Sequence, residues 1–104
     1  MQETLEIKKE TIAGSLKITV AGRIDAYWSD HLEKILQEEI NAGHYALVLD
    51  FAEVSYISSA GIRIIIGCYK QLQMLHGSFS LINASGNVAS VLKMSGLSSL
   101  LKEE

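Results

Sequence analysis

The sequence has little cysteine, no proline and no excess of positive charge. Its one cysteine, Cys68, cannot form an internal disulfide, so no disulfide framework supports the fold. Without proline there is no proline-rich linker, and 104 residues predict one domain that spans residues 1–104. Nine Lys and Arg stand against twelve Asp and Glu, a net charge of −3. This balance argues against direct binding to nucleic acid, which requires a basic surface.

Long apolar runs are also missing. The most apolar run, residues 62–69, contains Arg63 and is too short to span a bilayer. The first ten residues mix charged and apolar side chains and lack the apolar core of a signal peptide. A lone cysteine within an apolar run is typical of a protein from a reducing compartment. We therefore predict a cytoplasmic protein that does not bind a membrane.

The sequence contains no pattern typical of a metal site, a phosphate-binding loop or a catalytic centre. Its three histidines and Cys68 have no second ligand at a usable spacing, so neither a metal nor another cofactor is predicted. Ser58 and Ser59 follow an extended segment and begin a predicted helix, but the glycine that a nucleophile elbow has two residues before its serine is absent. No catalytic residue is predicted, and a small serine hydrolase is a remote alternative.

The hydrophobic pattern predicts an α/β domain with the element order β-β-α-β-α-β-α. We expect a mixed sheet of four or five strands packed with three or four helices, in which the first two strands form an antiparallel hairpin. Gly22 is predicted to end the second strand, and residues 52–57 are predicted as a connection that can include a short extended piece at Tyr56 and Ile57. Leu97, Leu100 and Leu101 are predicted to form a last helical turn. The predicted elements cover residues 5–8, 16–21, 27–41, 45–51, 60–75, 79–83 and 88–95.

Charge is unevenly distributed between the two halves of the chain. Residues 1–52 have a net charge of −4 and residues 53–104 a net charge of +1. The first predicted helix contributes Asp30, Glu33, Glu38 and Glu39 to the acidic half. This acidic surface is either a solvated helix face or a surface that meets a partner.

Two serines precede the second predicted helix in the sequence Ser58-Ser59-Ala60-Gly61. A serine oxygen at such a position can accept a hydrogen bond from an N–H group of the first helical turn and so cap the helix. An exposed hydroxyl there also suits phosphorylation, because the new charge meets the positive end of the helix dipole. The residues alone leave both interpretations open. Ser29 or Asp25 is predicted to cap the first helix in the same way.

Three segments resemble the STAS-domain proteins of the anti-sigma factor antagonist (anti-anti-sigma) family. Residues 47–66, LVLDFAEVSYISSAGIRIII, resemble the family signature of an apolar strand ending in Asp, then (Asp/Ser)-Ser-(Ser/Ala)-Gly-Leu and an apolar helix. Residues 22–26, GRIDA, resemble its Gly-x-Leu-Asp-Ala segment, and residues 95–97, SGL, resemble its late Gly-Leu step. The resemblance implies a mixed-sheet α/β fold and a protein-binding module rather than an enzyme.

The resemblance also implies partner switching. The unmodified domain would bind an anti-sigma factor that is a serine kinase, and phosphorylation would release it until a serine phosphatase resets the domain. Alignment places the acceptor on Ser59, with Ser58 as the alternative. Ser58 stands where many members have Asp, Ala60 where they have a second Ser or Thr, and Arg63 where several have Gly. The expected partner-binding residues are Asp25, Ser58, Ser59, Ala60, Gly61 and Arg63.

The substituted Ser58 leaves a second interpretation open. The domain could be a STAS scaffold or sensor module outside sigma-factor control that is not phosphorylated. The unpaired edges of a small sheet permit a monomer or a weak homodimer.

Overall fold

The structure is a computed structural model that describes residues 4–102. Five strands form one sheet in the order β1-β2-β3-β4-β5, in which β1 and β2 are antiparallel and the other pairs are parallel. A 3₁₀ turn at Ser98–Leu100 precedes β5. The other elements are β1 (Glu6–Ile12), β2 (Ser15–Ile24), α1 (Ala26–Asn41), β3 (Ala46–Ile57), α2 (Ser59–Met74), β4 (Ser78–Ile82), α3 (Gly86–Met94) and β5 (Leu101–Lys102). The predicted mixed α/β fold and element order are confirmed.

One face of the sheet supplies a continuous apolar layer. In the parallel register Ile18 lies opposite Leu49, which in turn lies opposite Leu81, and all three are fully buried. The helices α1 and α2 contribute Leu32, Leu36, Ile65 and Leu72 to the same core. Alternation along the strands thus directs every second side chain toward the helices.

Three predicted strand ends are wrong. The first strand continues to Ile12 instead of ending at residue 8. Gly22 does not end β2: it adopts φ 120°, and the register with β3 shifts on either side of it, so the strand bends and continues to Ile24. Residues 52–57 are not a connection, because β3 continues through them to Ile57; only the predicted extended piece at Tyr56 and Ile57 is confirmed. Past Phe51 several side chains of β3 are exposed, which interrupts the apolar run while the backbone ladder goes on. The extension carries both strands to the start of their following helices.

The predicted last helical turn at Leu97, Leu100 and Leu101 is also wrong in part. Leu100 belongs to the 3₁₀ turn, but Leu101 pairs with Leu81 as the fifth strand of the sheet. A glycine ends α3 before this turn: Gly96 adopts φ 82°, and the Leu97 N–H donates to the Leu92 carbonyl over 3.0 Å.

Candidate functional site

The starts of α1 and α2 lie side by side. The parallel strands β2 and β3 end in register at Ile24 and Ile57, and each is followed by one capping residue and then a helix. Parallel strands present their carboxyl ends at the same edge of a sheet, so the two helices begin at that edge. The Ser58 N–H donates to the Ile24 carbonyl over 2.8 Å, which ties the second helix start to the end of β2.

Asp25 is the N-cap of α1. Its Oδ1 accepts a hydrogen bond from the Trp28 N–H over 2.9 Å, and its carbonyl accepts one from the Ser29 hydroxyl over 2.6 Å. Asp25 is half-buried, so its carboxylate caps the helix and is still accessible to solvent. Of the two predicted capping residues, the structure selects Asp25.

Ser29 links the two helix starts, and sequence reasoning assigned it no role in the site. It is fully buried, and its hydroxyl oxygen lies 3.4 Å from that of Ser58. One sequence signal could have found it: Ser29 lies on the buried stripe of α1 with Leu32, Leu36 and Ile40. A hydroxyl on such a stripe requires a polar partner inside the protein.

Ser58 caps α2. Its Oγ accepts a hydrogen bond from the Gly61 N–H over 3.2 Å, its backbone is extended at φ −85° and ψ 168°, and the residue is half-buried. These are the features of an N-cap residue, whose side chain satisfies a backbone donor that the helix cannot. The Ser58 hydroxyl is therefore already used by the fold.

Ser59 has different surroundings. It is the first residue of α2 and is exposed, and its hydroxyl has no hydrogen-bond partner among residues 4–102. Within the same range, neither Ser58 nor Ser59 forms a hydrogen bond with a histidine, so the nucleophile–base contact of a serine hydrolase is not formed there. The geometry offers Ser59 as a freely accessible hydroxyl at the positive end of a helix.

Gly61 lies beneath these serines, where α2 packs closely against the ends of β2 and β3. A Cβ atom at this position would lie 2.8 Å from Ile24 Cγ2, 2.9 Å from Ile57 Cγ1 and 3.3 Å from Ser29 Oγ. The residue is buried, whereas Ala60 beside it is half-exposed. Gly61 is one of the residues expected to meet a partner, but it is buried. Its lack of a side chain allows α2 to pack against Ile24 and Ile57.

Arg63 lies one helical turn beyond the serines, on the wall of a shallow groove. The groove has a volume of about 210 Å³ and is lined by Asp30 and Glu33 of α1 and by Ala60, Arg63 and Ile64 of α2. Asp30, Glu33 and Arg63 are all exposed. Among residues 4–102, Arg63 forms no ion pair or hydrogen bond, so its guanidinium is available for a new contact.

The other candidate features of the sequence are Cys68, a metal site and a membrane-spanning segment. Burial, with a smaller effect of Glu33, raises the pKa of the Cys68 thiol to about 11, so this thiol stays protonated and inert. No group of three or more potential metal ligands occurs in the part of the chain that the structure describes. Between residues 4 and 102 no helix is long and apolar enough to cross a bilayer.

Comparison with known families agrees with this architecture. The model of the STAS domain matches residues 6–103. The chain belongs to the STAS domain family. Among curated relatives, the anti-sigma-B factor antagonist of Listeria monocytogenes is 29% identical over 102 residues, which cover 98% of this chain and 89% of that protein. The anti-sigma F factor antagonist of Paenibacillus polymyxa is 28% identical and covers 89% of this chain and 80% of that protein.

Solved structures show the same STAS fold. The anti-sigma factor antagonist SpoIIAA in its unphosphorylated form superimposes with a TM-score of 0.83 at 21% identity, covering 95% of this chain and 88% of that one. The phosphorylated form of this Bacillus protein gives a TM-score of 0.78 at 20% identity, covering 95% and 91%. An anti-sigma factor antagonist from Mycobacterium paratuberculosis gives 0.84 at 22% identity, covering 99% and 89%.

Proposed function

We propose that this STAS domain is an anti-sigma factor antagonist. It binds an anti-sigma factor of the serine-kinase type while Ser59 is unmodified, and it releases that partner when Ser59 is phosphorylated. The names of its curated relatives support the first half of this proposal, the role of an anti-sigma factor antagonist. The observation that carries the second half is the contrast between two neighbouring hydroxyls, since Ser58 caps α2 and Ser59 is exposed and unbonded among the described residues.

The modification is a phosphoryl transfer from ATP. The Ser59 oxygen forms a bond to the γ-phosphorus, the bond between that phosphorus and the β–γ bridging oxygen breaks, and the hydroxyl proton passes to a base of the kinase. ADP leaves, and Ser59 carries a charge of about −1.5 to −2 at neutral pH. The helix start tolerates this charge because the free N–H groups of the first turn of α2 point toward it.

The release follows from desolvation. An interface that covers an uncharged Ser59 would have to bury a dianion after phosphorylation, and burying an unpaired charge costs several kcal/mol. Because each 1.4 kcal/mol changes a dissociation constant tenfold, one phosphate is enough to end binding. A serine phosphatase completes the cycle by hydrolysing the ester, and the domain supplies no catalytic group to either step.

The replacement of the family's usual aspartate by Ser58 does not weaken the proposal. Serine and aspartate are both preferred N-cap residues, and Ser58 makes the cap contact to Gly61. What the substitution removes is a negative charge beside the acceptor. The alternative, a scaffold or sensor module that is never phosphorylated, predicts that Ser59 stays unmodified in the presence of active kinase.

The experiment is a phosphorylation assay with each candidate anti-sigma kinase encoded in the source genome. Wild type, Ser59→Ala and Ser58→Ala are incubated with kinase and ATP, and intact mass and peptide mapping locate the phosphate. We expect one phosphate on wild type and on Ser58→Ala and none on Ser59→Ala. Phosphate on Ser58, or none on wild type while the kinase modifies another substrate, would contradict the proposal.

A binding measurement tests the release. The same kinase is titrated with unmodified protein and with protein carrying phosphoserine at position 59. We expect the phosphate to weaken binding at least tenfold, and Ser59→Ala to bind within about threefold of wild type, because loss of an exposed hydroxyl changes little. Equal affinity of the phosphorylated and unmodified proteins would reject the switch.

A further inference from the structure

We propose that Arg63 holds the phosphate of the modified protein: its guanidinium pairs with phosphoserine 59. This inference rests on the proposed phosphorylation of Ser59 and adds a positioning residue to it. It concerns a residue type that the STAS resemblance does not supply, since several members have Gly at this position.

Helix geometry brings the two side chains together. Ser59 and Arg63 are both in α2 and are four residues apart, so they lie on the same face of the helix, one turn above the other. Both are exposed, so solvent rather than packed side chains fills the space around them. The order is the favourable one, with the negative group on the N-terminal side of the positive group.

The chemistry of the pair is also favourable. A guanidinium presents a planar set of N–H donors that matches two phosphate oxygens at once, and charge-assisted bonds of this kind are the stronger hydrogen bonds of proteins. Arg63 has no partner to give up among residues 4–102, so pairing costs only the ordering of its side chain.

Pairing of Arg63 with phosphoserine 59 would also change the charge of the groove between α1 and α2. Asp30 and Glu33 line the groove with Ala60 and Arg63, so before modification one cation stands among two carboxylates. After modification the phosphate, with about two negative charges, attracts this guanidinium toward Ser59. The phosphate would thus change the charge seen by a partner at two places, at Ser59 and in the groove.

The test is a titration of the phosphate itself. Phosphoserine is introduced at position 59 during translation in wild type and in Arg63→Gln, Arg63→Lys and Lys70→Gln, and ³¹P NMR follows the second ionisation from pH 4.5 to 8. Lys70→Gln is the matched control, because Lys70 is an exposed cation of α2 eleven residues from Ser59. The charged groups that line the groove are Arg63 on α2 and Asp30 and Glu33 on α1, and the carboxylate of Asp25 caps α1 beside the start of α2.

A cation beside the phosphate stabilises the dianion and lowers the pKa of its second ionisation. We expect Arg63→Gln to raise that pKa by about 0.3 of a pH unit, the shift that corresponds to a helical i,i+4 ion pair. Arg63→Lys keeps the charge and should restore most of the shift, whereas Lys70→Gln should change the pKa by less than about 0.1. Equal pKa values in wild type and Arg63→Gln, or an equal rise in Lys70→Gln, would overturn the proposal.

The titration needs no kinase, so its outcome is separate from that of the proposed function. If no kinase modifies Ser59 but the Arg63→Gln shift is present, the pairing stands and the phosphorylation cycle fails. If the kinase works and the titrations coincide, the cycle stands and the role of Arg63 is rejected.

Discussion

At the scale of single residues, the two glycines Gly61 and Gly67 of α2 have opposite surroundings. A methyl group at Gly61 would lie under 3.0 Å from Ile24 and Ile57, while one at Gly67 would meet no atom within 4 Å. We expect Gly61→Ala to lower the free energy of unfolding by about 1–3 kcal/mol through overpacking. Gly67→Ala should raise it by up to about 1 kcal/mol, because alanine is the better helix former. Urea denaturation measures both, and equal midpoints for the two variants would contradict the close contact at Gly61.

Asp50 gives a second prediction at this scale. Burial alone would raise the pKa of its carboxyl group, but hydrogen bonds from the Ala52 N–H and the Asn83 amide, with Lys17 at 3.5 Å, hold the pKa below its usual value of 3.8. A lowered pKa stabilises the fold above pH 3.8, and this stabilisation is lost as acid protonates the group. Asp50→Asn should therefore cost about 1–2 kcal/mol at pH 7.

Measuring this stability difference at several pH values separates the effect of the Asp50 charge from that of its shape. The stability difference between wild type and Asp50→Asn should narrow as the pH falls below about 4, because the wild-type carboxyl then becomes neutral as well. Glu53→Gln, an exposed change on the same strand, is the control and should alter stability by less than about 0.5 kcal/mol. A difference that stays constant from pH 7 to pH 3 would contradict the argument.

At the scale of elements, the two adjacent serines at the start of α2 differ: Ser58 caps the helix and Ser59 is exposed. Ser58→Ala removes the cap bond to the Gly61 N–H and should lower the free energy of unfolding by about 1 kcal/mol. Ser59→Ala removes an exposed hydroxyl that has no hydrogen bond among residues 4–102, and it should change the free energy of unfolding by less than about 0.5 kcal/mol. Thermal and urea unfolding of the two variants side by side provide the measurement. Equal losses would show that Ser58 does not cap the helix.

Elements also show where sequence patterns succeed and fail. Helical periodicity located α1 and α2 to within a residue or two, because their apolar stripes face one core. The patterns missed the second half of β3, because exposed Ala52 and Glu53 interrupt its apolar run. They also missed the bulge at Gly22, because the hydrophobic pattern does not record backbone pairing. Family resemblance located the serine pair, but only packing shows that Ser58 is engaged and that Ser29 lies against it.

At the scale of the whole molecule, the sheet order explains why the starts of α1 and α2 lie together. Three of the four strand pairs are parallel. Because β2 and β3 run in the same direction, the helices that follow them begin at the same edge of the sheet. The apolar core lies between this sheet and the helices, and the hydroxyl of Ser59 lies outside it. A charge added at that edge therefore alters the surface without entering the core. The lengthened β2 and β3, which the patterns missed, place the two helix starts side by side, with the Ser29 and Ser58 hydroxyl oxygens 3.4 Å apart.

This separation predicts that phosphorylation leaves the fold unchanged. The net charge would go from −3 to about −5, but the phosphate lies at the positive end of α2 and should change the free energy of unfolding by no more than about 1 kcal/mol. In ¹H–¹⁵N NMR spectra we expect amide shifts in residues 24–33 and 57–64, at the two helix starts and the adjoining groove. Amides of β4 and α3 serve as internal controls and should not move. Shifts spread across those elements would mean that the phosphate acts by rearranging the domain rather than by charging one surface.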